Sequence, residues 1–175
     1  MKLLCCALCC LSLAALPLLA QPKASGKAPM TDQQFVAFAA QTDMVEANLG
    51  QLAQTRAQSP PVKDYAQMLV TDHTGDYQEL KNAAQQANLT VPAAIDAEHN
   101  KAMIGPFQKL KGAAFDHKYA QEMVAGHTRA IEIYRKEAQD AQDPTIQSYA
   151  QTALAVLQKH LDGARNLEKG SAGKR

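Results

Sequence analysis

The stretch that decides the fold is residues 59–73, which read SPPVKDYAQMLVTDH. A serine followed by two prolines is typical of a turn between helices, because proline fits the first turn of a helix. After that turn, Val62, Tyr65 and Leu69 recur at the three- and four-residue spacing of one helix face. His73 falls at the centre of the same face. The stretch therefore predicts two helices joined by a short turn, with a histidine directed into their interface.

Helical periodicity extends through most of the chain, and no useful run of strand-like alternation interrupts it. Short turns within each pair of helices make the paired helices antiparallel neighbours. The connection between the pairs has about 24 residues, enough to return along the bundle. We predict an all-α fold: a ferritin-like antiparallel four-helix bundle with a short crossover helix between the second and third long helices. The predicted helical segments are 31–58, 60–87, 96–110, 112–141 and 144–168.

The first twenty residues differ from the rest of the chain. One lysine is followed by an uncharged apolar run from Leu3 to Ala20, and polar residues begin at Gln21. A short basic start, an apolar middle and a small residue at the cleavage point are typical of a secretory signal peptide. The alternative is a retained membrane anchor, for which this run is of borderline length. We expect residues 1–20 to be removed and the chain to be exported to the periplasm or cell envelope, with no retained transmembrane segment.

All four cysteines lie within that signal segment. The mature chain would then contain neither disulfides nor thiolate metal ligands. It would carry 17 basic and 17 acidic residues, since Lys2 is the one charged residue removed. This balance, without a basic patch, predicts that nucleic acid is not a partner. The predicted boundaries are signal peptide 1–20, flexible leader 21–30, bundle 31–168 and disordered tail 169–175.

Each long helix places one metal-capable side chain within its apolar face: Glu46, His73, His127 and His160. The four also agree in height. Glu46 precedes the first turn by about thirteen residues and His73 follows it by about as many, while the other two lie about fifteen and seventeen residues from the second turn. That spread is about one helical turn, or ~5 Å. We predict that the four side chains meet in the middle of the bundle.

Three imidazoles and one carboxylate are a suitable ligand set for a divalent metal ion. Zinc is favoured, with iron, copper and manganese as alternatives. A bound cation would satisfy buried polar groups that otherwise carry a desolvation cost. Asp76, one turn after His73, is a further candidate, either as a ligand or as an acceptor that orients an imidazole. The competing interpretation is a metal-free structural or interaction bundle, in which Glu46 pairs with a protonated His73 in a buried polar network.

Five stretches of the chain and one further histidine, in their order and spacing, resemble one known family. They are FVAFAA at 35–40, MVEANLG at 44–50, VKDYAQMLVTDH at 62–73, GAAFDHKY at 112–119, His127, and LQKHL at 157–161. The chain resembles the exported bacterial ferritin-like proteins catalogued as domain of unknown function 4142, some of them labelled predicted outer-membrane proteins. The resemblance covers about residues 31–168. It implies a ferritin-like bundle in the cell envelope and no established activity.

The chain departs from di-iron ferritins, which use a Glu-x-x-His pair on each of two helices. Val70 and Leu157 stand three residues before His73 and His160, where a di-iron protein has glutamate. A mononuclear, histidine-rich site is the consistent alternative, and ferroxidase activity is not expected. The sequence shows no nucleophile–base pair either, so an enzyme that uses a metal-bound water is the less favoured alternative. The predicted role is metal binding or a function in envelope stress.

Overall fold

The computed structural model describes residues 30–172, with side chains described as far as residue 170. Within that range it contains four long helices and a short crossover, and no β-strand. The predicted signal peptide 1–20, the leader up to residue 29 and the last three residues of the predicted tail lie outside the described residues. The elements are α1 (Asp32–Arg56), α2 (Pro60–Gln86), α3 (Ala97–His99), a π-helical turn (Asn100–Ile104), a 3-10 turn (Gly105–Phe107), α4 (Ala113–Asp140) and α5 (Pro144–Ala172).

Two antiparallel hairpins, α1–α2 and α4–α5, form the bundle. At one end the amide of Gly112 donates to the carbonyl of Arg56 at 2.8 Å, so α4 begins beside the end of α1. At the other end the carboxylate of Asp32 accepts from the amides of Gln142 and Asp143 in the α4–α5 turn. Helices α2 and α4 are therefore parallel. The predicted four-helix bundle, with two hairpins joined by a crossover, is confirmed.

Capping groups define where the first two helices begin. Thr31 and Gln34 form the reciprocal capping box of α1, in which each side chain accepts from the other residue's amide. Ser59 occupies the cap position of α2, but its side chain makes no capping bond. Asp116 of α4 instead accepts from the amides of Gln58 and Ser59, at 3.0 and 2.8 Å. The buried Asp116 thus ties the α1–α2 turn to α4.

The C-terminal boundary of α5 differs most from the prediction. Helix α5 continues to Ala172, whereas the sequence predicted an end at residue 168 and a disordered tail from 169. That expectation rests partly on Gly170. A glycine inside a helix costs only about 1 kcal/mol relative to alanine, which is too little to end a 29-residue helix that packs along α4. The first four residues of the predicted tail are therefore helical.

The crossover between α2 and α4 covers the groove between α1 and α4. On the α1 side, Gln41 donates to the carbonyl of Ala94 and accepts from the amide of Asp96. On the α4 side, the ring of Phe107 packs edge-on against Phe115, with 5.5 Å between centroids. The predicted crossover helix is present as three short turns of different pitch, because a proline in the 3-10 turn lacks the amide that a regular helix needs.

The buried core consists of two apolar clusters with a polar layer between them. One cluster includes Phe35 and Leu80, and the other includes Leu69 and Phe115. On α2, His73 stands between Leu69 of one cluster and Leu80 of the other. Each long helix directs its apolar face toward this core. Within residues 30–172, no helix is long and apolar enough to cross a membrane.

Candidate metal centre

Three of the four predicted ligands meet in the polar layer. His73 of α2, His127 of α4 and His160 of α5 are 3%, 1% and 1% exposed. One ligand atom from each ring lies within 4.8 Å of the others. The ring centroids are 5.9, 5.2 and 5.2 Å apart. The histidines converge because each stands on the buried stripe of its helix, at the height where the two apolar clusters meet.

One nitrogen of each imidazole is held by an oxygen of the protein, at 2.9 Å in all three cases. In a neutral imidazole such a bond favours the proton on the bonded nitrogen and leaves the other nitrogen with an available lone pair. The three imidazoles are therefore oriented from outside the cluster. The pairs are His73 Nδ1 with Asp43 Oδ1, His127 Nδ1 with the carbonyl of Met123, and His160 Nε2 with Asp72 Oδ2.

The opposite nitrogen of each ring has no hydrogen-bond partner among the described residues: Nε2 of His73, Nε2 of His127 and Nδ1 of His160. Leaving a buried polar atom unpaired costs about 1–3 kcal/mol. A metal ion would satisfy all three atoms at once. Nitrogen ligands at about 2.0–2.1 Å from a metal lie about 3.4 Å apart at tetrahedral angles. The ring atoms that lie within 4.8 Å of one another would need to close by at most about 1.4 Å to reach this spacing.

Glu46 lies beside the cluster rather than within it. Its Oε1 is 3.9 Å from Nδ1 of His127, which is the ring nitrogen already held by Met123. The side chain is 8% exposed, and Oε2 has no hydrogen-bond partner in the described part of the chain. The structure thus brings three predicted ligands together and leaves Glu46 as a buried neighbour on the outer side of His127.

Asp43 of α1 orients His73, a role that the sequence analysis did not assign to it. Asp43 is 1% exposed. Burial raises the pKa of Asp43 to about 7, and the hydrogen bond with His73 opposes that rise. Burial lowers the pKa of His73, but the Asp43 hydrogen bond and the nearby carboxylates outweigh burial and raise it to about 8. His73 therefore favours its protonated form beside Asp43, and a metal ion that binds Nε2 would have to displace that proton.

Asp76 influences the site through its charge. Its Oδ2 accepts from the hydroxyl of Tyr149 at 2.7 Å, and it lies near enough to Asp43 for each carboxyl group to shift the pKa of the other. Burial raises the pKa of Asp76. Its negative charge contributes to the raised pKa of His73. The carboxylates that bond directly to imidazoles are those of Asp43 and Asp72.

His160 is held in its neutral form. Burial lowers the pKa of His160 to about 4, and the hydrogen bond with Asp72 only partly opposes this effect. Neutral imidazole is the form that binds metals. The hydroxyl of Tyr65 donates to the backbone carbonyl of His160 at 2.9 Å, which fixes this part of α5 against α2. At neutral pH, His160 therefore presents a metal-binding lone pair from a fixed position.

Asp43 and Asp72 belong to the candidate site but were not predicted from the sequence. Asp43 stands three residues before Glu46, and Asp72 directly precedes His73. A ligating histidine usually donates its other N–H to a carboxylate or a backbone carbonyl. An aspartate within three residues of a predicted ligand, on the same helix, was therefore the signal available in the sequence.

A small cavity reaches two of the histidines from the side. It measures about 20 Å³, lies between α2 and α5, and has room for about one water molecule. A larger cleft of about 630 Å³ lies around the α1–α2 turn at one end of the bundle, and no histidine of the cluster lines it. The small cavity is lined by Asp72, His73, Asp76, Ala153, Val156, Leu157 and His160.

Comparison with known proteins agrees with this architecture. A family model described as Domain of unknown function (DUF4142) matches residues 18–167. The chain belongs to this family. The predicted family resemblance is thereby confirmed. No curated protein matches the chain.

Solved structures of CopM share the fold. CopM in the Cu(II)-bound form has a TM-score of 0.67 at 16% sequence identity, with 82% of this chain and 99% of the CopM chain covered. CopM in the Cu(I)-bound form has a TM-score of 0.66 at 17% identity, with 80% and 96% covered. At such low identity the likeness establishes the common fold alone.

Proposed function

We propose that this protein is an exported metal-binding four-helix bundle that holds one metal ion between His73, His127 and His160. The observation that carries the proposal is the set of three buried ring nitrogens without partners among the described residues. The outward nitrogen of each ring is bonded as in known histidine metal sites. Facing helices of a bundle commonly build metal sites in this way, because their side chains project into a shared core.

Copper is the metal that we propose for the site. Imidazole suits zinc, copper and iron, but among divalent first-row ions copper binds a given nitrogen site most tightly. The similar CopM structures are described as Cu(II)-, Cu(I)- and Ag-bound forms. They give no support to the predicted preference for zinc, which becomes the competitor in the test. Glu46 stays a prediction as a fourth ligand, and that role requires its carboxylate to move, since it now faces Nδ1 of His127.

We also propose that the mature chain acts in the periplasm or cell envelope, in metal binding or envelope stress. The apolar run before Gln21 supports removal of residues 1–20 as a signal peptide. Removal would leave a chain without cysteine, which suits an oxidising compartment. Imidazole and carboxylate groups would then be its strongest metal ligands.

Metal content of the purified mature protein tests the proposal. After loading with Cu(II) and removal of excess metal, we expect about one copper per chain and retention of that copper against an equal concentration of zinc. His127→Ala and His160→Ala should each lose the copper. His99→Ala is the matched control, because His99 is 39% exposed and pairs with Asp96 on the crossover. Absence of copper from the wild type, or its retention in both cluster variants, contradicts the proposal.

The second candidate is a metal-free bundle whose buried polar network serves a structural or interaction role. The Asp43–His73 pair favours it, because a carboxylate and a protonated imidazole at 2.9 Å satisfy each other. That network leaves the three inward ring nitrogens unpaired, and for this reason we prefer the metal site. Thermal unfolding separates the two candidates. A bound metal raises the Tm by mass action, whereas a metal-free network gives the same Tm with copper and with chelator.

A further inference from the structure

We propose that the metal ion enters the bundle through the seam between α2 and α5, and that Asp72 is the carboxylate that receives it there. This inference rests on the proposed metal function and adds the route and the residue that controls uptake. The three histidines are almost completely buried, since each is at most 3% exposed. An ion can reach them only by passing between helices.

The four seams of the bundle are not packed equally. Helix α1 packs along α2, and α4 packs along α5, as close hairpins. The crossover covers the α1–α4 groove, where Phe107 contacts Phe115 and the backbone bonds to Gln41. Helices α2 and α5 also contact each other, but less extensively than the helices of either hairpin. The cavity that touches His73 and His160 lies in this α2–α5 seam.

Two partly exposed side chains mark the mouth of that cavity. Asp72 of α2 is 31% exposed and Val156 of α5 is 43% exposed. Behind them His73 and His160 are almost completely buried. The wall on α5 includes Ala153, whose small side chain leaves space between the helices. Exposure therefore falls steadily from the rim to the unpartnered ring nitrogens, as expected for an entry path.

Asp72 connects this rim to the ligand set. Its Oδ2 is 2.9 Å from Nε2 of His160, and Nδ1 of the same ring is buried without a hydrogen-bond partner among the described residues. The hydrogen bond occupies one carboxylate oxygen, so the other can contact an arriving cation. Asp76 follows four residues later on the same face of α2 and also lines the cavity. The two carboxylates place negative charge at the mouth and further inside it, which attracts a cation along the path.

The size of the cavity adds a chemical requirement. A volume of about 20 Å³ holds about one water molecule. An ion with its full hydration shell exceeds this space, so it must exchange some of its waters for protein ligands at the rim. The carboxylate of Asp72 is the metal-binding group found at that position. Uptake therefore depends on Asp72 even though the final ligands are imidazoles.

Stopped-flow mixing of Cu(II) with the metal-free mature chain measures this step. We expect Asp72→Asn to slow the bimolecular uptake by about tenfold or more, because the charge at the mouth is lost while an acceptor for His160 is kept. Glu79→Gln is the matched control, since it removes one negative charge from an exposed position on the same helix. Its uptake rate should stay within about twofold of the wild type.

A steric variant tests the route independently of charge. Val156→Phe places a ring at the mouth, so uptake and release should both slow while the Kd changes by less than about twofold. Ala155→Phe adds the same ring at an exposed neighbouring position that does not line the cavity, and both rates should be unchanged. Normal copper binding with wild-type rates in Asp72→Asn and Val156→Phe overturns the route alone. Failure of the wild type to bind copper overturns the site and the route together.

Discussion

The middle layer of the bundle and the apolar layers beside it are equally buried but have opposite chemistry. Phe115 and Leu69 are 0% exposed, and His127 and His160 are 1% exposed. In the apolar layers burial itself stabilises the fold, by about 25 cal/mol per Å² of apolar surface. In the middle layer burial leaves three ring nitrogens unpaired among the described residues. The apolar layers therefore stabilise the bundle, and we propose that the polar middle layer serves to bind the metal ion.

Truncating the apolar layer should give the largest effect. Phe115 contacts the rings of Phe107 and Tyr119, at 5.5 and 5.7 Å between centroids. We expect Phe115→Ala to lower the free energy of unfolding by about 3–5 kcal/mol, because it leaves a cavity in a packed cluster. Urea unfolding should show the same loss with and without copper. A loss that appears only in the copper-loaded protein would mean that the two layers are not independent.

Making the middle layer apolar should cost no stability without copper and should abolish the stabilisation that copper gives. In the metal-free state we expect His127→Leu to be at least as stable as the wild type, because it removes a buried nitrogen that has no partner. With copper at 100 times the Kd, the wild type should gain about 2.7 kcal/mol and the variant nothing. Thermal unfolding of both proteins with and without copper measures the difference. A large loss of stability in the metal-free variant would assign the layer a structural role.

A smaller effect is expected when an orienting group is changed and the ligands are kept. Asp43→Asn retains a polar side chain beside His73 but removes the charge that holds its ring. We expect the copper affinity to fall by about 10–100-fold, as measured by competition titration against a chelator. Asp64→Asn, at an exposed position of α2, is the control and should leave the affinity unchanged. An equal affinity in Asp43→Asn would remove Asp43 from the site.

The smallest effect concerns a buried acid outside the middle layer. Burial and the charge of Asp32 raise the pKa of Glu137 from 4.5 to about 7. The folded state therefore favours protonated Glu137, and stability is lost as the pH rises from about 4.5 to about 7. We expect Glu137→Gln to be about 1 kcal/mol more stable relative to the wild type at pH 8 than at pH 4, with solvent screening limiting the gain. Urea unfolding at both pH values measures it, and an equal difference at both would contradict the prediction.

Helix geometry explains why much of the site could be predicted from the sequence. A residue's angle and height on an ideal helix follow from its position. Two short turns then fix the relative heights of the helices. These two quantities were enough to predict that three side chains meet, and the structure brings together His73, His127 and His160.

The remaining parts depend on tertiary contacts that periodicity does not encode. Helix α1 is covered by the crossover as well as by its hairpin partner, so its buried arc is wider than one apolar stripe and includes Gln41 and Asp43. Because the arc is wide, Asp43 is buried although it does not belong to the apolar stripe of α1. The direction of the Glu46 side chain relative to His127 depends on packing between α1 and α4. The cavity in the α2–α5 seam likewise depends on how these two helices pack.

X-ray absorption spectroscopy of the copper-loaded mature protein tests the central claim most directly, because it reports the atoms bound to the metal. Three buried histidines with inward lone pairs predict a first coordination sphere dominated by imidazole nitrogen, with about three such ligands per copper. His160→Ala should lower that number or abolish binding. A spectrum dominated by oxygen or sulfur ligands, or one unchanged in His160→Ala, would contradict a metal site in the middle layer.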